Sequence, residues 1–312
     1  MNVLVTGASG FVGPYLLQLL KEHGHEVTAI GLSVGNLKDR FDVVTIEQDI
    51  LDAEGMKRNF MKICPEVVVH LAAISNVGLS WQNPALAVDV NVRGTINVLE
   101  ALHFSNPAAK LIIIGSSDEY GLSAQMEIPL TEDVLCQPQS PYAITKYCAE
   151  QLCLQLAGKY NMRIIQTRSF NHYGPGQRQG FVVPDFASQI VAMERYLIPP
   201  VLHVGNLESY RDFTYVADVV KAYVALVEHE VPSGVYNICS GKARKISEVL
   251  NRLLDLAQIK IDIKLDAGKL RPSDVPYFVG NPQKIQEATG WKAQYSFEQG
   301  LRDVLEHWRN CK

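Results

Sequence analysis

The chain has no run of about 20 apolar residues, and it has no basic leader followed by an apolar core and a cleavage site. Those absences argue against a membrane-spanning helix and a secretory signal and lead us to expect a cytoplasmic protein. Charge of one sign is nowhere concentrated. The 29 basic and 33 acidic residues leave a formal net charge of -4, which argues against a nucleic-acid partner or a membrane-surface partner. The six cysteines (Cys64, Cys136, Cys148, Cys153, Cys239 and Cys311) form no CxxC and no paired framework, as expected of reduced thiols. Eight histidines fall without HExxH or another ligand spacing, so no metal is expected. Internal repeats, low-complexity tracts and flexible linkers are also missing.

What is present is enough apolar residue, 47% of 312, for a substantial core. Short β-branched runs ("NVLVTG", "EVTAIG", "DVVTIE", "EVVVHLA", "KLIIIGSS", "MRIIQTRSF") alternate with stretches of helical period at 11–23, 53–62, 84–103 and 140–160. Strands that are apolar throughout and separated by helices predict a parallel sheet covered on both faces, a doubly wound Rossmann-type α/β fold. After about residue 170 the rhythm loosens into helices at 183–195, 215–229, 247–257 and 297–308 with short strands such as "GVYNIC" and "KIDIKL". The expectation is a dinucleotide-binding domain over 1–170, to which 215–238 returns, and a smaller α+β lobe made of 171–214 and 239–312. A cleft between two such lobes is a common ligand site.

"VLVTGASGFVG" sets Gly7, Gly10 and Gly13, with Phe11 and Val12 between, directly after the first strand and at the opening of the first helix. A glycine turn there lets a pyrophosphate approach the backbone and the amides of the helix N-terminus. NAD sites commonly carry a carboxylate at the end of the second strand, where this chain has Gly31, Leu32 and Ser33. NADP(H) is therefore favoured and NAD(H) remains possible. Lys38 and Arg40 are expected on a loop beyond. "EQDILD" places Asp49 and Ile50 at the adenine edge, and "HLAAIS" runs Leu71, Ala72 and Ala73 beside the cofactor.

"SPYAITK" puts Tyr142 and Lys146 four residues apart on one helical face, an arrangement in which an ammonium near a phenol favours the phenolate and proton exchange with a substrate alcohol or carbonyl. With Ser116 at the end of the fifth strand, the set resembles the extended short-chain dehydrogenase/reductases that act on nucleotide sugars. That resemblance covers essentially the whole chain. It implies Ser116, Tyr142 and Lys146 as the catalytic residues, with Tyr142 and Lys146 also at the cofactor and Asn91 supporting the lysine through water. It further implies a homodimer through the two long helices.

Within that family, "RSFNHYGPGQRQGFVVPDF", "GNLESYRDFTYVADVV", "YNICSG" and "LRPSDVP" are most similar to the enzymes that handle GDP-mannose derivatives. The resemblance implies a GDP-sugar substrate, with Asn171 at the diphosphate or sugar, Arg211 and Arg271 at phosphate, Asp274 at ribose hydroxyls, and Phe181 and Val182 near the guanine. Arginine suits a diphosphate because its fork donates two parallel hydrogen bonds.

"GSSDEYG" leaves one question open. A 4,6-dehydratase needs a base, and usually an acid, beside the tyrosine, whereas a 4-ketoreductase needs only Ser116, Tyr142 and Lys146. In the dehydratase register Asp118 stands at the catalytic glutamate, one methylene short, a misplacement of about 1 Å that costs on the order of 100-fold. Glu119 stands where an apolar residue is usual, and Ser117 where the acid is. The reading favoured is reduction of the C4 ketone of a GDP-4-keto-6-deoxy sugar. A dehydratase, a 4-epimerase and a non-catalytic nucleotide sensor are the rivals.

Overall fold

The structure, a computed structural model, describes residues 1–125, 128–266, 268 and 275–311. Its strands are β1 (Asn2–Thr6), β2 (Glu26–Gly31), β3 (Val44–Glu47), β4 (Val67–His70), β5 (Lys110–Ser116), β6 (Arg163–Ser169), β7 (Asn171–Tyr173), β8 (Val201–Val204), β9 (Tyr210–Tyr215), β10 (Gly234–Ile238), β11 (Ala243–Lys245), β12 (Asp262–Leu265) and β13 (Tyr277–Phe278).

Seven of them form one parallel sheet in the order β10-β6-β5-β4-β1-β2-β3. The order reverses between β1 and β4, which opens the crevice where doubly wound sheets hold ligands. Strand alternation splits the core between the two faces. Val3 and Val5 of β1 pack with Leu16, Leu17, Val219 and Tyr223 on one side, while Leu4 packs with Phe60, Val68, Leu99 and Leu111 on the other. Burial on both faces explains why these strands read as apolar runs. Strand β10 pairs with β6 in register Gly234 to Ile165, so residues 234–238 belong to the large sheet. A separate core gathers helices Val182–Glu194, Ile246–Asp255 and Phe297–Asn310 around Phe186, Leu250, Leu301 and Phe213.

The helix Pro141–Tyr160 has clear boundaries: the Ser140 hydroxyl caps the Ala143 amide, Pro141 fills the first turn, and Asn161 ends it in a left-handed conformation. The helix expected over 84–103 is not continuous. It comprises Pro84–Val88, a widened π turn over Asp89–Gly94, and Thr95–Ser105. Lys38 and Arg40 lie on a short helix, Leu37–Phe41, where a loop was expected. No helix among the described residues is long and apolar enough to cross a membrane, and none of their His, Cys, Asp and Glu side chains cluster as a metal site.

Lys110, at the start of β5, is buried and donates to the carbonyls of Leu226, Val227 and His229 at the end of the helix Val216–Glu228. A cation there meets the negative end of the helix dipole and satisfies carbonyls that the helix leaves open. Lys110→Met is expected to cost about 1–3 kcal/mol. Urea unfolding checks this: the midpoint should fall with the slope unchanged, and an unmoved midpoint would show that the cap contributes nothing.

Candidate active site

At the end of β1 the chain turns through Gly7, whose φ is +68° and whose missing Cβ would lie 2.5 Å from the Ala72 amide nitrogen. Gly13 opens the helix Gly13–Glu22, and a Cβ there would meet the Ala8 carbonyl oxygen at 2.0 Å. Bare backbone at these two points brings the turn, the helix start and the loop after β4 together. No side chain caps that helix, so its first amides suit an anionic pyrophosphate. The glycine cradle and the uncapped helix end therefore fit a dinucleotide. Gly10 lies between them, its amide donating to Gly7 at 3.0 Å. Val12 precedes the helix, and Phe11 stacks at 6.0 Å and 5° on His172.

Ser33 is exposed just past β2. The second strand itself ends without a carboxylate, yet its neighbour supplies one. Glu47 of β3 sits in register with Gly31 and its Oε1 lies 3.5 Å from the Val34 amide. Sequence reading missed it because strand pairing, not strand sequence, brings it there. Asp49 is exposed and accepts the Leu51 amide, while Ile50 is buried against Gly94. Leu71, Ala72 and Ala73 follow β4 directly, half-buried.

Beneath this turn runs a chain of buried polar groups. Thr6 Oγ1 and His70 Nδ1 are 2.6 Å apart, His70 Nε2 and Thr95 Oγ1 are 3.0 Å apart, and the Thr95 hydroxyl donates to the Asn91 carbonyl. Because Thr95 is already a donor, it accepts from His70 Nε2–H, which leaves Nδ1 to accept from Thr6. Burial and the nearby Lys146 cation push the His70 imidazole down to about 3, so it is neutral. Asn91, in the π turn, extends the chain: its amide group bonds both backbone groups of Ile74 and donates to Thr145 Oγ1 at 3.0 Å. The contacts found for Asn91 thus hold the loop after β4 against the helix Pro141–Tyr160. π turns of this kind are frequent at functional sites.

The three catalytic candidates come together. Tyr142 lies within hydrogen-bonding reach of Ser116, and both are buried. Buried Ser80, on the short helix Val77–Gln82, accepts the Tyr142 amide at 3.0 Å and fixes the start of the helix Pro141–Tyr160. The expected lysine effect on the phenol takes a different form. Lys146 Nζ donates to the Ile114 carbonyl at 2.8 Å, and burial pulls it down to about 8. The Tyr142 phenol goes up rather than down, first through burial and next through the Asp118 carboxylate, with the Ser116 hydrogen bond opposing.

The adjacent carboxyls of "GSSDEYG" lie together on one tight helical turn, Ser117–Tyr120. Half-buried Asp118 is the charge that bears most on Tyr142. Glu119 is fully buried on the other side, accepts the Ser116 amide at 2.8 Å and lies 3.7 Å from Arg168. Ser117 is buried.

A cavity of about 480 Å³ opens beside this group, lined by Ser75, Asn76, Leu79, Gln82, Arg178 and Phe181 among others. Phe181 is thus on the cavity wall, and Val182 next to it opens a helix and packs on the second core. Arg178, Gln82 and Asn76 were not singled out in the sequence, though Arg178 stands inside the quoted "GPGQRQG". Asn171 is exposed at the start of β7, which pairs with β9. Arg211 of β9 donates to the Val275 carbonyl at 2.8 Å. Arg271 and Asp274 lie outside the described residues.

A glycine cradle at the end of β1 with a Ser, Tyr and Lys group at the ends of β5 and the following helix defines a dinucleotide-dependent oxidoreductase of the short-chain dehydrogenase/reductase class. Residues 4–304 match the family described as GDP-mannose 4,6 dehydratase, and the chain belongs to that family, on the nucleotide-sugar branch. It is 35% identical, over 99% of its length and 97% of the relative's, to a GDP-6-deoxy-D-mannose reductase of Pseudomonas aeruginosa. It is 30% identical, over 98% and 96%, to a GDP-6-deoxy-D-talose 4-dehydrogenase of Aggregatibacter actinomycetemcomitans. Among solved structures, RMD from Pseudomonas aeruginosa complexed with NADPH superposes with a TM-score of 0.86 at 34% identity, covering 99% of this chain and 98% of that one.

Lys146 also carries a pH signature. Its folded value, about 8, is below its ordinary 10.5. Between those values the folded chain has shed the proton that the unfolded chain keeps, so this group makes stability rise with pH across that window and leaves it flat below. Lys146→Met is expected to remove that rise, as read by urea unfolding at steps from pH 7 to 10.5; an identical pH dependence in the variant would refute the assignment.

Proposed function

We propose that the protein reduces the C4 ketone of GDP-4-keto-6-deoxy-D-mannose to GDP-D-rhamnose (GDP-6-deoxy-D-mannose) with NADP(H) as the favoured cofactor and NAD(H) admitted. One observation carries the choice of reductase over dehydratase: the carboxyl beside Tyr142 is Asp118, one methylene shorter than the glutamate a dehydratase uses as base, while Glu119, which has that length, is withdrawn into the core. A dehydratase works with an acid and a base beside the tyrosine.

Gly7, Gly10 and Gly13, with Phe11 and Val12, would hold the pyrophosphate; Asp49 and Ile50 the adenine edge; and Leu71, Ala72 and Ala73 the nicotinamide side. Ser33, with Lys38 and Arg40 on their short helix, suits a 2′-phosphate, and Glu47 suits a 2′-hydroxyl, which is why both forms of the cofactor are admitted. When bound, the reduced dinucleotide supplies the hydride. Tyr142 donates the proton to the oxygen on which charge develops, and Ser116 donates a hydrogen bond to the same oxygen. Lys146 holds the ribose and, swung toward the phenol, opposes the rise that burial and Asp118 impose. Asp118 then serves as a ligand of sugar hydroxyls.

The lobe formed by 171–214 and 239–312 receives the GDP-sugar, with Asn171, Arg211, Arg271 and Asp274 at the phosphates and ribose and Phe181 and Val182 near the guanine. We further infer a homodimer through the long helices. Ile144, Cys148 and Leu152 recur every four residues as an exposed stripe, with Val88 exposed nearby on the partner helix. Free cysteines throughout suit the reducing cytoplasm as its place of work.

Purified protein given NADPH and GDP-4-keto-6-deoxy-D-mannose should consume NADPH stoichiometrically and form a GDP-linked 6-deoxyhexose. Tyr142→Phe should lower kcat by roughly 10²- to 10⁴-fold, while Asp118→Ala keeps ketone reduction. Failure to oxidise NADPH, together with conversion of GDP-mannose to the keto sugar, would make Asp118 the base of a dehydratase and sink the reductase reading.

A further inference from the structure

Glu119 has no role in the reaction as described, yet it is fully buried directly beneath it. Two carboxylates and one guanidinium meet there. Arg168 is committed to Glu150 by a fork of two hydrogen bonds, Nε to Oε2 at 3.0 Å and Nη2 to Oε1 at 2.6 Å. Its remaining Nη1 donates to the Glu132 carbonyl, and its plane lies 4.7 Å over the Tyr120 ring. Glu119 is left with the flank of that cation, Oε2 to Nε at 3.7 Å, beyond hydrogen-bond range. Its Oε1 accepts the Ser116 amide, while the Ser116 hydroxyl caps the start of the same turn, so the two residues hold each other reciprocally.

One cation cannot neutralise two buried carboxylates, and Arg168 has chosen Glu150. The carboxyl left over keeps its proton. Facing it are Glu150, Lys146, Tyr142 and Tyr147 from the helix Pro141–Tyr160, Arg168 from β6, and Cys136; Arg168 and the Ser116 amide favour the ionised carboxyl, and burial with Glu150 outweighs them. Burial first, and Glu150 second, drive the Glu119 carboxyl far above the usual carboxylate range. A neutral acid fits the contacts atom by atom. The carbonyl oxygen receives the Ser116 amide, and Oε2, to which nothing donates, can carry the hydroxyl and give it to Glu150.

We propose that Glu119 is a positioning residue: a proton-bearing carboxyl that bridges the Ser116 amide to the Glu150–Arg168 pair and thereby sets where the Ser116 hydroxyl stands against Tyr142. Neutrality matters as much as position, because a charge on Glu119 would raise both Tyr142 and Lys146. The fixed point of the catalytic group is thus a side chain that touches neither substrate nor cofactor. The proposal deepens the reductase reading and rests on it for its kinetic readout only.

Infrared difference spectroscopy between the wild type and Glu119→Gln at pH 7 provides the first test and involves no turnover. The wild type should show the carbonyl stretch of a protonated carboxylic acid that the variant lacks; its absence, or a Gln variant that does not fold, would overturn the proposal. Kinetics provide the second. Gln keeps both the acceptor for Ser116 and a donor for Glu150, so Glu119→Gln should retain most of the ketone reduction. Glu119→Leu removes the acceptor and should lower kcat by roughly 10- to 100-fold with KM for NADPH unmoved. Equal damage in both variants, or none in either, would refute positioning by a neutral carboxyl. In Glu150→Gln, Arg168 turns to Glu119, the acid band should vanish, and the alkaline limb of the pH–rate profile should move up as Tyr142 rises; a persisting band would refute the coupling. Protein that shows the acid band but oxidises no NADPH would leave Glu119 as assigned and discard the reductase reading instead.

Discussion

The site depends on a neutral imidazole. His70 closes β4, and its two ring nitrogens join Thr6 at the end of β1 to Thr95 on the helix beyond the π turn. From there Thr95 and Asn91 carry the connection to the loop after β4 and to Thr145, one turn along from Tyr142. Six pieces of the chain that converge at the crevice are thereby fixed by hydrogen bonds sheltered from water, where an unmade bond is expensive and a satisfied one rigid. A charged His70 would need an acceptor at Nδ1 where Thr6 offers its hydrogen, so the chain and the neutral state require each other.

Much of this site was legible in the sequence wherever its logic is local. Gly7, Gly10 and Gly13 are spaced by the turn they make, and Tyr142 and Lys146 by one turn of helix, so both readings needed only neighbours in the chain. The parallel sheet followed from runs such as "EVVVHLA" that have no polar side to show. What failed to show depended on pairing or on rotation about a tight turn. Asp118 and Glu119 are adjacent letters that point to opposite sides, and nothing in "SSDEYG" tells which faces the cleft. Glu47 reaches the rim of β2 because β3 pairs beside it. Lys146 finds the Ile114 carbonyl because its helix crosses β5 at that height. The interruption of the 84–103 helix had the right period on either side and a hydrogen-bond pattern that spacing does not record.

The same contrast applies to the second lobe. Its contribution to the cleft is a set of loop residues, Arg178, Gln179 and Phe181, facing Ser75, Asn76 and the short helix Val77–Gln82 of the large domain across about 480 Å³. The loop has no periodic pattern to betray it, and the helix is too short to show one. The catalytic candidates stand on strand ends and a long helix, and the cleft wall is built from a loop and a short helix, close to the usual division in α/β proteins.

The hydrogen-bond chain under the site also behaves as an insulator. Every hydroxyl in it is already turned one way, and both branches stop at peptide carbonyls, that of Asn91 through Thr95 and that of Tyr142 through Thr145. A carbonyl accepts a hydrogen bond and hands nothing onward, so no proton enters or leaves the phenol by this route. On this side the phenol of Tyr142 is closed off from proton exchange, whatever its other sides allow.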